Sequence, residues 1–358
     1  MKALITAGGR ATRLRPITWT LNKHLIPLAN RTMLAYAIEK IVEAGVTDIG
    51  INVNEGEKEI QAALGDGSAF GARITYIEQV GGPKGLGHIL SCAKPFLGTE
   101  PFIFYLGDNI ILGSIKRFVE RFNTDKLDGL LALSKVRDPQ RFGVPEMKDG
   151  RIIRVIEKPV NPPSEFAVTG IYLYTSKVFE AVEAIKPSPR GEYEISDVHT
   201  WLIENGANIG YEEITGWWKD TGKPEDLLEG NALLLNERHP DTMKLGGEAA
   251  KSAVIQGKVE IGEGSIIGER VLIRGPVSIG KNCNISDAYI GPYTSLGNDV
   301  TVTQTEIEHS IVFDGANIHA GKRIVDSIIG KNATVGNVRD TLPLGHRLIV
   351  GDNAQVEL

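Results

Sequence analysis

The first residues able to do chemistry follow a short apolar run at the amino end: Ala7-Gly8-Gly9-Arg10-Ala11-Thr12-Arg13-Leu14-Arg15-Pro16. Glycines let a backbone come close to phosphate oxygens and turn N–H groups toward them, and arginines neutralise the charge. The plain alternative is a tight turn with solvated arginines. The run is not Gly-x-Gly-x-x-Gly and lacks a Gly-Lys-Ser/Thr ending, so it supports neither a dinucleotide-binding oxidoreductase nor a P-loop NTPase. Lys23 and His24 come next, between Leu21, Leu25 and Ile26. An ammonium there suits a phosphate counter-charge, although a lysine whose stem covers the core with its head in water is the simpler reading. Asp108 follows Phe102-Ile103-Phe104-Tyr105-Leu106-Gly107, where a carboxylate is costly unless it has a task. Asp220, in Trp217-Trp218-Lys219-Asp220-Thr221-Gly222, reads on its own as an Asx-turn residue.

These residues need elements to hold them. Short β-branched runs alternate with helix-period segments up to about residue 215, which predicts a parallel or mixed sheet covered by helices. Strands are expected at 3–6, 49–53, 74–77, 102–106, 129–136, 151–156 and 168–174, and helices at 33–44, 177–185, 195–205 and 225–236. Gly45 stands where a C-cap glycine belongs. Ligands of open α/β sheets bind beyond the carboxyl ends of the strands, so Asp108 and the Gly8-Gly9 loop should face one crevice. From about residue 253 the pattern changes: Ile255, Ile261, Ile267, Ile273, Ile279 and Ile285 recur every six residues. The repeat continues, with one-residue slips, through Ile290, Leu296, Val302, Ile307, Ile318 and Val335. A period of six is the hexapeptide signal of a parallel β-helix, whose coils must stack to bury their apolar corners.

Composition bounds the function. The chain has 358 residues, with 39 Lys and Arg against 45 Asp and Glu, a net charge of −6. That balance speaks against nucleic acid or an anionic membrane as a partner. Two distant cysteines, Cys92 and Cys283, make no disulfide framework, and no apolar run is long enough to span a membrane, so a cytoplasmic protein is expected. Its 41 glycines are expected to serve the phosphate loop, the substrate pocket and, beyond residue 245, the corners of the β-helix.

Taken in order, Gly8-Gly9-x-x-Thr12-Arg13-Leu14-x-Pro16, the segment Lys23 to Pro27, Gly85-Leu86, Gly107-Asp108-Asn109, Glu157-Lys158-Pro159, Thr169-Gly170-Ile171-Tyr172 and Trp218-Lys219-Asp220-Thr221-Gly222 resemble the sugar-1-phosphate nucleotidyltransferases, and among them the long-form glucose-1-phosphate thymidylyltransferases. The resemblance covers nearly the whole chain. It implies a Rossmann-like mixed-sheet nucleotidyltransferase domain over residues 1–240 and a left-handed parallel β-helix with a tail over 241–358. It also implies that Gly8, Gly9, Thr12 and Arg13 hold the triphosphate, that Lys23 is a second phosphate clamp, and that Gln79 and Gly85 contact the base. Asp108 and Asp220 would hold Mg²⁺. Glu157 would bind sugar hydroxyls and Lys158 the incoming phosphate, with Gly143, Gly170 and Tyr172 shaping the sugar pocket. A tyrosine in a strand is equally well a core residue. Two departures stand out: the family usually has glycine at the position of Ala11, and the interval from Gln79 to Gly85 is one residue longer than the family spacing.

The expected reaction is attack of a sugar 1-phosphate on a nucleoside triphosphate, most simply glucose 1-phosphate on dTTP, giving dTDP-glucose and pyrophosphate. UTP is the second nucleotide to consider. A bifunctional enzyme whose β-helix also transfers acetyl groups is a further reading, although no site is evident around His309 or His319. A non-catalytic scaffold would not need Arg13, Lys23, Asp108, Lys158 and Asp220. A homo-oligomer is expected, because flat β-helix sides commonly bury against one another.

Overall fold

The computed structural model describes residues 1–9, 11–238, 245–336 and 354–356. The chain divides into two compact units that do not follow it in two blocks: Met1–Arg10 with Met33–Asp220, and Ala11–Thr32 with Thr221–Leu358.

In the first unit the strands are β1 (Lys2–Thr6), β2 (Asp48–Asn54), β3 (Arg73–Gln79), β4 (Phe102–Leu106), β5 (Asn109–Ile111), β6 (Gly129–Lys135), β7 (Gly143–Lys148), β8 (Arg151–Glu157), β9 (Phe166–Tyr174), β10 (Ile209–Glu213) and β11 (Trp218–Asp220). The helices are α1 (Met33–Glu43), α2 (Glu59–Leu64), α3 (Leu86–Leu97), α4 (Lys116–Thr124), α5 (Val178–Ala184) and α6 (Ile195–Glu204). Seven strands form one mixed sheet in the order β10-β6-β9-β4-β1-β2-β3. Strand β9 runs antiparallel to both β4 and β6; the other neighbours are parallel. The Phe102–Leu106 run is almost wholly buried because its strand lies inside this sheet. Phe102 stacks on Phe179 of α5 with centroids 6.0 Å apart, and Phe104 lies 5.8 Å from Tyr172.

Helix α3 was not foreseen: Gly85, Gly87 and Pro95 interrupt its sequence, yet Leu90, Ala93 and Leu97 bury a continuous apolar stripe. The hairpin strand β7 was also unmarked, since Gly143-Val144-Pro145-Glu146-Met147-Lys148 carries both glycine and proline.

The hexapeptide segment of the second unit is a left-handed parallel β-helix built of three parallel sheets. Ile267, Ile285, Val302, Ile318 and Val335 stack in register on one face, at intervals of 18, 17, 16 and 17 residues. The first interval is three full hexapeptides; the shorter ones are the slips seen in the sequence. Ile261, Ile273, Ile279, Ile285, Ile290, Leu296 and Ile307 are all buried together.

The glycines of this segment are spent differently from expectation. Most left-handed corners are occupied by other residues, among them Asn282, Asp287, Asp299, Asp326 and Asn332, whose short polar side chains tolerate that conformation. Glycine is needed where coil meets coil: a Cβ on Gly262 would lie 2.5 Å from the backbone of Gly280, and one on Gly280 would lie 2.5 Å from that of Gly297.

Helix α7 (Pro224–Glu237) and the turn Ala29-Asn30 pack on the β-helix through a buried polar network. Asn231, wholly buried, accepts hydrogen bonds from the Ala29 N–H (2.7 Å) and the Ser295 hydroxyl (2.7 Å) and donates to the Tyr293 carbonyl (2.9 Å). Asn30 donates to the Leu296 carbonyl at 2.8 Å and to Ser278 Oγ at 3.0 Å. Arg238 pairs with Glu260 and with the Ala29 carbonyl. The segment 11–32 is thereby fixed to the β-helix, which is why it groups with residues far from it in sequence.

Candidate active site

Parallel strands β1, β2 and β3 end side by side, with Thr6 opposite Asn52 and Asn54 opposite Gln79. The backbone leaving β1 turns at Gly9, whose φ of 107° is open to glycine but strained for a residue with a Cβ. Its N–H donates to Asn54 Oδ1 at 3.1 Å, and its carbonyl accepts from Asn54 Nδ2 at 3.3 Å. A side chain on Gly8 would meet Asn54 Oδ1 at 3.1 Å, Asn52 Oδ1 at 3.5 Å and Gln79 Oε1 at 3.6 Å. The Gly8-Gly9 loop therefore lies on a bed of amide side chains. Gln79 is buried at the end of β3, and Gly85 caps the start of α3. The space beside Gly85 is filled by the protein itself: a Cβ there would stand 2.7 Å from the Tyr193 carbonyl oxygen.

Asp108 follows β4, next to β1 in the sheet. Gly107 N–H donates to the Thr6 carbonyl at 3.0 Å, and any Cβ on Gly107 would collide with that carbonyl, so the chain can enter Asp108 only through glycine. Strand β5 then pairs with β11, placing Asp220 directly opposite Asn109. The two aspartates of the sequence reading are thus brought to one end of a two-stranded ribbon, one residue out of register. Between them Asn109 acts as a hub. Its Oδ1 accepts from Trp218 Nε1 (2.7 Å) and from the Gly170 N–H (3.2 Å), and its Nδ2 donates to Asp108 Oδ1 (2.9 Å). A Cβ on Gly170 would stand 2.7 Å from that amide.

Glu157 ends β8 opposite Gly143 of β7. Its Oε2 accepts from Ser196 Oγ on α6 at 2.8 Å, and its Oε1 lies 3.1 Å from Lys158 Nζ and 3.5 Å from Arg190. A Cβ on Gly143 would press on Ser196 Oγ at 2.8 Å. Lys158 has a φ of 44°, a left-handed conformation that is costly away from glycine and that collects at functional sites.

The Tyr172 ring is core, packed between Phe104, Tyr174 and His199. Burial, together with the nearby carboxylates of Glu157 and Asp108, holds its hydroxyl protonated far above the usual range. Behind it His199 is buried against Tyr174, Nε2 to hydroxyl 2.5 Å, and burial pushes its pKa down to about 3.

Thr12, Arg13 and Lys23 belong to the other compact unit. Thr12 and Arg13 are exposed in the turn Thr12–Leu14, which buries Leu14 and is entered through Ala11 at φ 44° and ψ 42°. That is the left-handed region, which accounts for glycine being usual there. Lys23 opens the turn Lys23–Leu25, capped by Asn22, whose side chain accepts from the His24 N–H at 2.9 Å.

Asn109, Ser196, Arg190 and Asn54 were not assigned roles from sequence. Asn109 had one signal, its place beside Asp108; the others are defined only by pairing across strands and helices. Among the described residues no three His, Cys, Asp or Glu side chains gather at one point. The register of β5 and β11 instead brings two carboxylate-bearing residues, Asp108 and Asp220, to one end of the ribbon, and carboxylate oxygens are the ligands a hard cation takes. Neither cysteine is in a disulfide, and no described helix is long and apolar enough to cross a membrane.

Comparison with known proteins agrees with this geometry. Residues 2–237 match the Nucleotidyl transferase family and residues 273–357 the GMPPB C-terminal domain. The chain is 44% identical over 361 residues to the low-salt glycan biosynthesis nucleotidyltransferase Agl11 of Haloferax volcanii, covering 100% of each. It is 41% identical over 359 residues to a glucose-1-phosphate thymidylyltransferase of Streptomyces griseus, covering 100% of this chain and 99% of the relative. Among solved structures, a Bacillus anthracis protein crystallised with sucrose and assigned provisionally as a glucose-1-phosphate thymidylyltransferase is similar at TM-score 0.63 and 39% identity, over 67% of this chain and 97% of the other. The chain belongs to the Nucleotidyl transferase family of enzymes.

Proposed function

We propose that this enzyme transfers a nucleotidyl group from dTTP to glucose 1-phosphate, giving dTDP-glucose and pyrophosphate. The observation that carries the reading is a glycine loop at the carboxyl ends of β1, β2 and β3, with the neighbouring strand β4 leading into Asp108 and a ribbon register that sets Asp220 opposite Asn109. Similarity over the full length to the Streptomyces griseus thymidylyltransferase supports the choice of substrates.

A phosphate oxygen of the sugar 1-phosphate attacks the α-phosphorus in line, and pyrophosphate leaves. The nucleophile is already an anion at neutral pH, so no strong general base is required. The task is to position two anions and offset their repulsion. Gly8, Gly9, Thr12 and Arg13 hold the triphosphate, Lys23 clamps it, and Gln79 and Gly85 meet the base. Glu157, fixed by Ser196, binds sugar hydroxyls, while Lys158 meets the incoming phosphate. The backbone at Gly143 and Gly170, with the Tyr172 hydroxyl, shapes the sugar pocket. Asp108 and Asp220 would hold Mg²⁺, which when bound adds positive charge beside the phosphates.

In this reading residues 1–240 carry the catalytic function and 241–358 are a β-helix with a C-terminal tail, the tail lying largely outside the described residues, in a homo-oligomeric, cytoplasmic enzyme. The test is a matrix of nucleoside triphosphates against sugar 1-phosphates scored by pyrophosphate release: dTTP with glucose 1-phosphate should lead, UTP following. A different leading pair would replace the substrates while keeping the reaction.

Two observations favour a second activity. A relative from Methanocaldococcus jannaschii, the bifunctional protein GlmU, is 34% identical over 94% of this chain, and His309 Nδ1 lies 2.5 Å from Asp326 Oδ1 on the next coil. Release of free CoA from acetyl-CoA with a sugar-amine phosphate would establish it.

A further inference from the structure

Gln79 is buried at the end of β3, and its amide has two different ends to satisfy. Its Nε2 lies 3.1 Å from His88 Nδ1 in the first turn of α3. Its Oε1 lies on the other side, 3.6 Å from the position a Cβ on Gly8 would take. One turn further along α3, Cys92 Sγ is 3.7 Å from His88 Nε2. A neutral imidazole has one N–H and one acceptor nitrogen. Burial, with Lys84 adding to it, lowers the His88 pKa, and burial raises that of the Cys92 thiol, so both groups are neutral near pH 7.5.

With the imidazole neutral, one arrangement of the protons suits these positions better than its reverse. The His88 Nε2–H points to the sulfur, Nδ1 accepts from the Gln79 amide N–H, and the Gln79 carbonyl oxygen is left facing the Gly8 loop. Reversing the chain would require the thiol, a weak donor, to direct it, and would turn the Gln79 oxygen away from the loop.

We propose that His88 is a specificity-determining positioning residue, which holds the Gln79 amide with its acceptor toward the nucleotide and thereby selects bases that present a ring N–H. Thymine and uracil offer that hydrogen at N3; cytosine offers a lone pair there. The inference rests on Gln79 meeting the base, as in the function proposed above. A buried acceptor facing a lone pair discriminates by about 10- to 100-fold.

The experiment is a comparison of kcat/KM for dTTP and dCTP at pH 7.5 with the full-length enzyme and saturating sugar 1-phosphate. His88→Leu, and His88→Phe as a second variant that keeps the ring without its nitrogens, should lower the dTTP/dCTP ratio by about tenfold or more. His88→Asn, whose Oδ1 can accept in place of Nδ1, should restore most of the ratio. A general packing defect would lower both nucleotides together and leave the ratio where it was. An unchanged ratio in His88→Leu and His88→Phe, with the ratio lost in Gln79→Leu, would overturn the role of His88 and leave base reading by Gln79 standing. An unchanged ratio in Gln79→Leu as well would overturn both.

Discussion

Replacing Asn109 by leucine removes the one side chain that ties Asp108, Gly170 and Trp218 together while keeping nearly the same volume. Two donors lose their acceptor, the Trp218 indole N–H at 2.7 Å and the Gly170 N–H at 3.2 Å, in a place where Asn109 itself is only 3% exposed. An orphaned buried donor costs about 1–3 kcal/mol, so the pair should cost about 2–6 kcal/mol, reduced by about 1 kcal/mol for the apolar surface that leucine buries. Asp108 also loses the amide that fixes its Oδ1. A hydrogen bond to a charged group is worth about 1.5–3 kcal/mol, so activity should fall by roughly 10- to 100-fold. Urea unfolding followed by tryptophan fluorescence measures the first effect and pyrophosphate release the second. Asn109→Asp separates them: it keeps an acceptor for Trp218 and Gly170, and should retain most of the stability, but sets a carboxylate beside Asp108 and should lose activity. A loss of stability under about 0.5 kcal/mol in Asn109→Leu, with activity within twofold, would refute the hub.

Three further outcomes follow from the geometry. Ala11 holds a left-handed conformation at φ 44°; Ala11→Gly should relieve about 1–2 kcal/mol of strain against about 0.4–1 kcal/mol of extra unfolded-state entropy, raising stability by about 1 kcal/mol in denaturant unfolding. Asn231→Leu leaves the Ala29 N–H, the Ser295 hydroxyl and the Tyr293 carbonyl without a buried partner; it should destabilise by about 3 kcal/mol or more and loosen residues 27–32, read as faster amide exchange there. His199 is neutral in the folded protein, with a pKa near 3 against 6.5 unfolded. The unfolded chain therefore takes up the extra proton: this contribution is complete above pH 6.5 and is lost as pH falls toward 3. Stability at pH 4.5 should be lower than at pH 7.5 by about 2–3 kcal/mol from this group, and His199→Gln should flatten that acid slope in denaturation curves.

What could be read without coordinates was whatever repeats or sits next to itself in the chain. Six isoleucines at a spacing of six define the β-helix, because a stacked coil imposes that period on its inward positions. Asp108 stood out because it closes a buried strand, and Ala11 because the family the chain resembles usually has glycine there. The rest depends on pairs far apart in sequence. Nothing local to Asn231 shows that it joins Ala29 to Ser295, and nothing local to Asn109 shows that Trp218 and Gly170 share its oxygen. Helix α3 was hidden because its glycines and proline, poor helix formers in isolation, are outweighed by the apolar stripe it buries. Glycines beyond residue 245 were expected at corners, where many are not: the tight spacing between coils, invisible along the chain, is what requires them at Gly262 and Gly280.

The role proposed for Asp108 and Asp220 is together to hold the cation for transfer onto a sugar 1-phosphate. It is tested most directly by Mg²⁺-dependent pyrophosphate release from dTTP and glucose 1-phosphate in Asp108→Asn and Asp220→Asn, each checked for an unchanged fold by circular dichroism. The wild-type enzyme should turn over only with the divalent ion, and each variant should lose at least about 100-fold in rate. Full rate in both folded variants would contradict it.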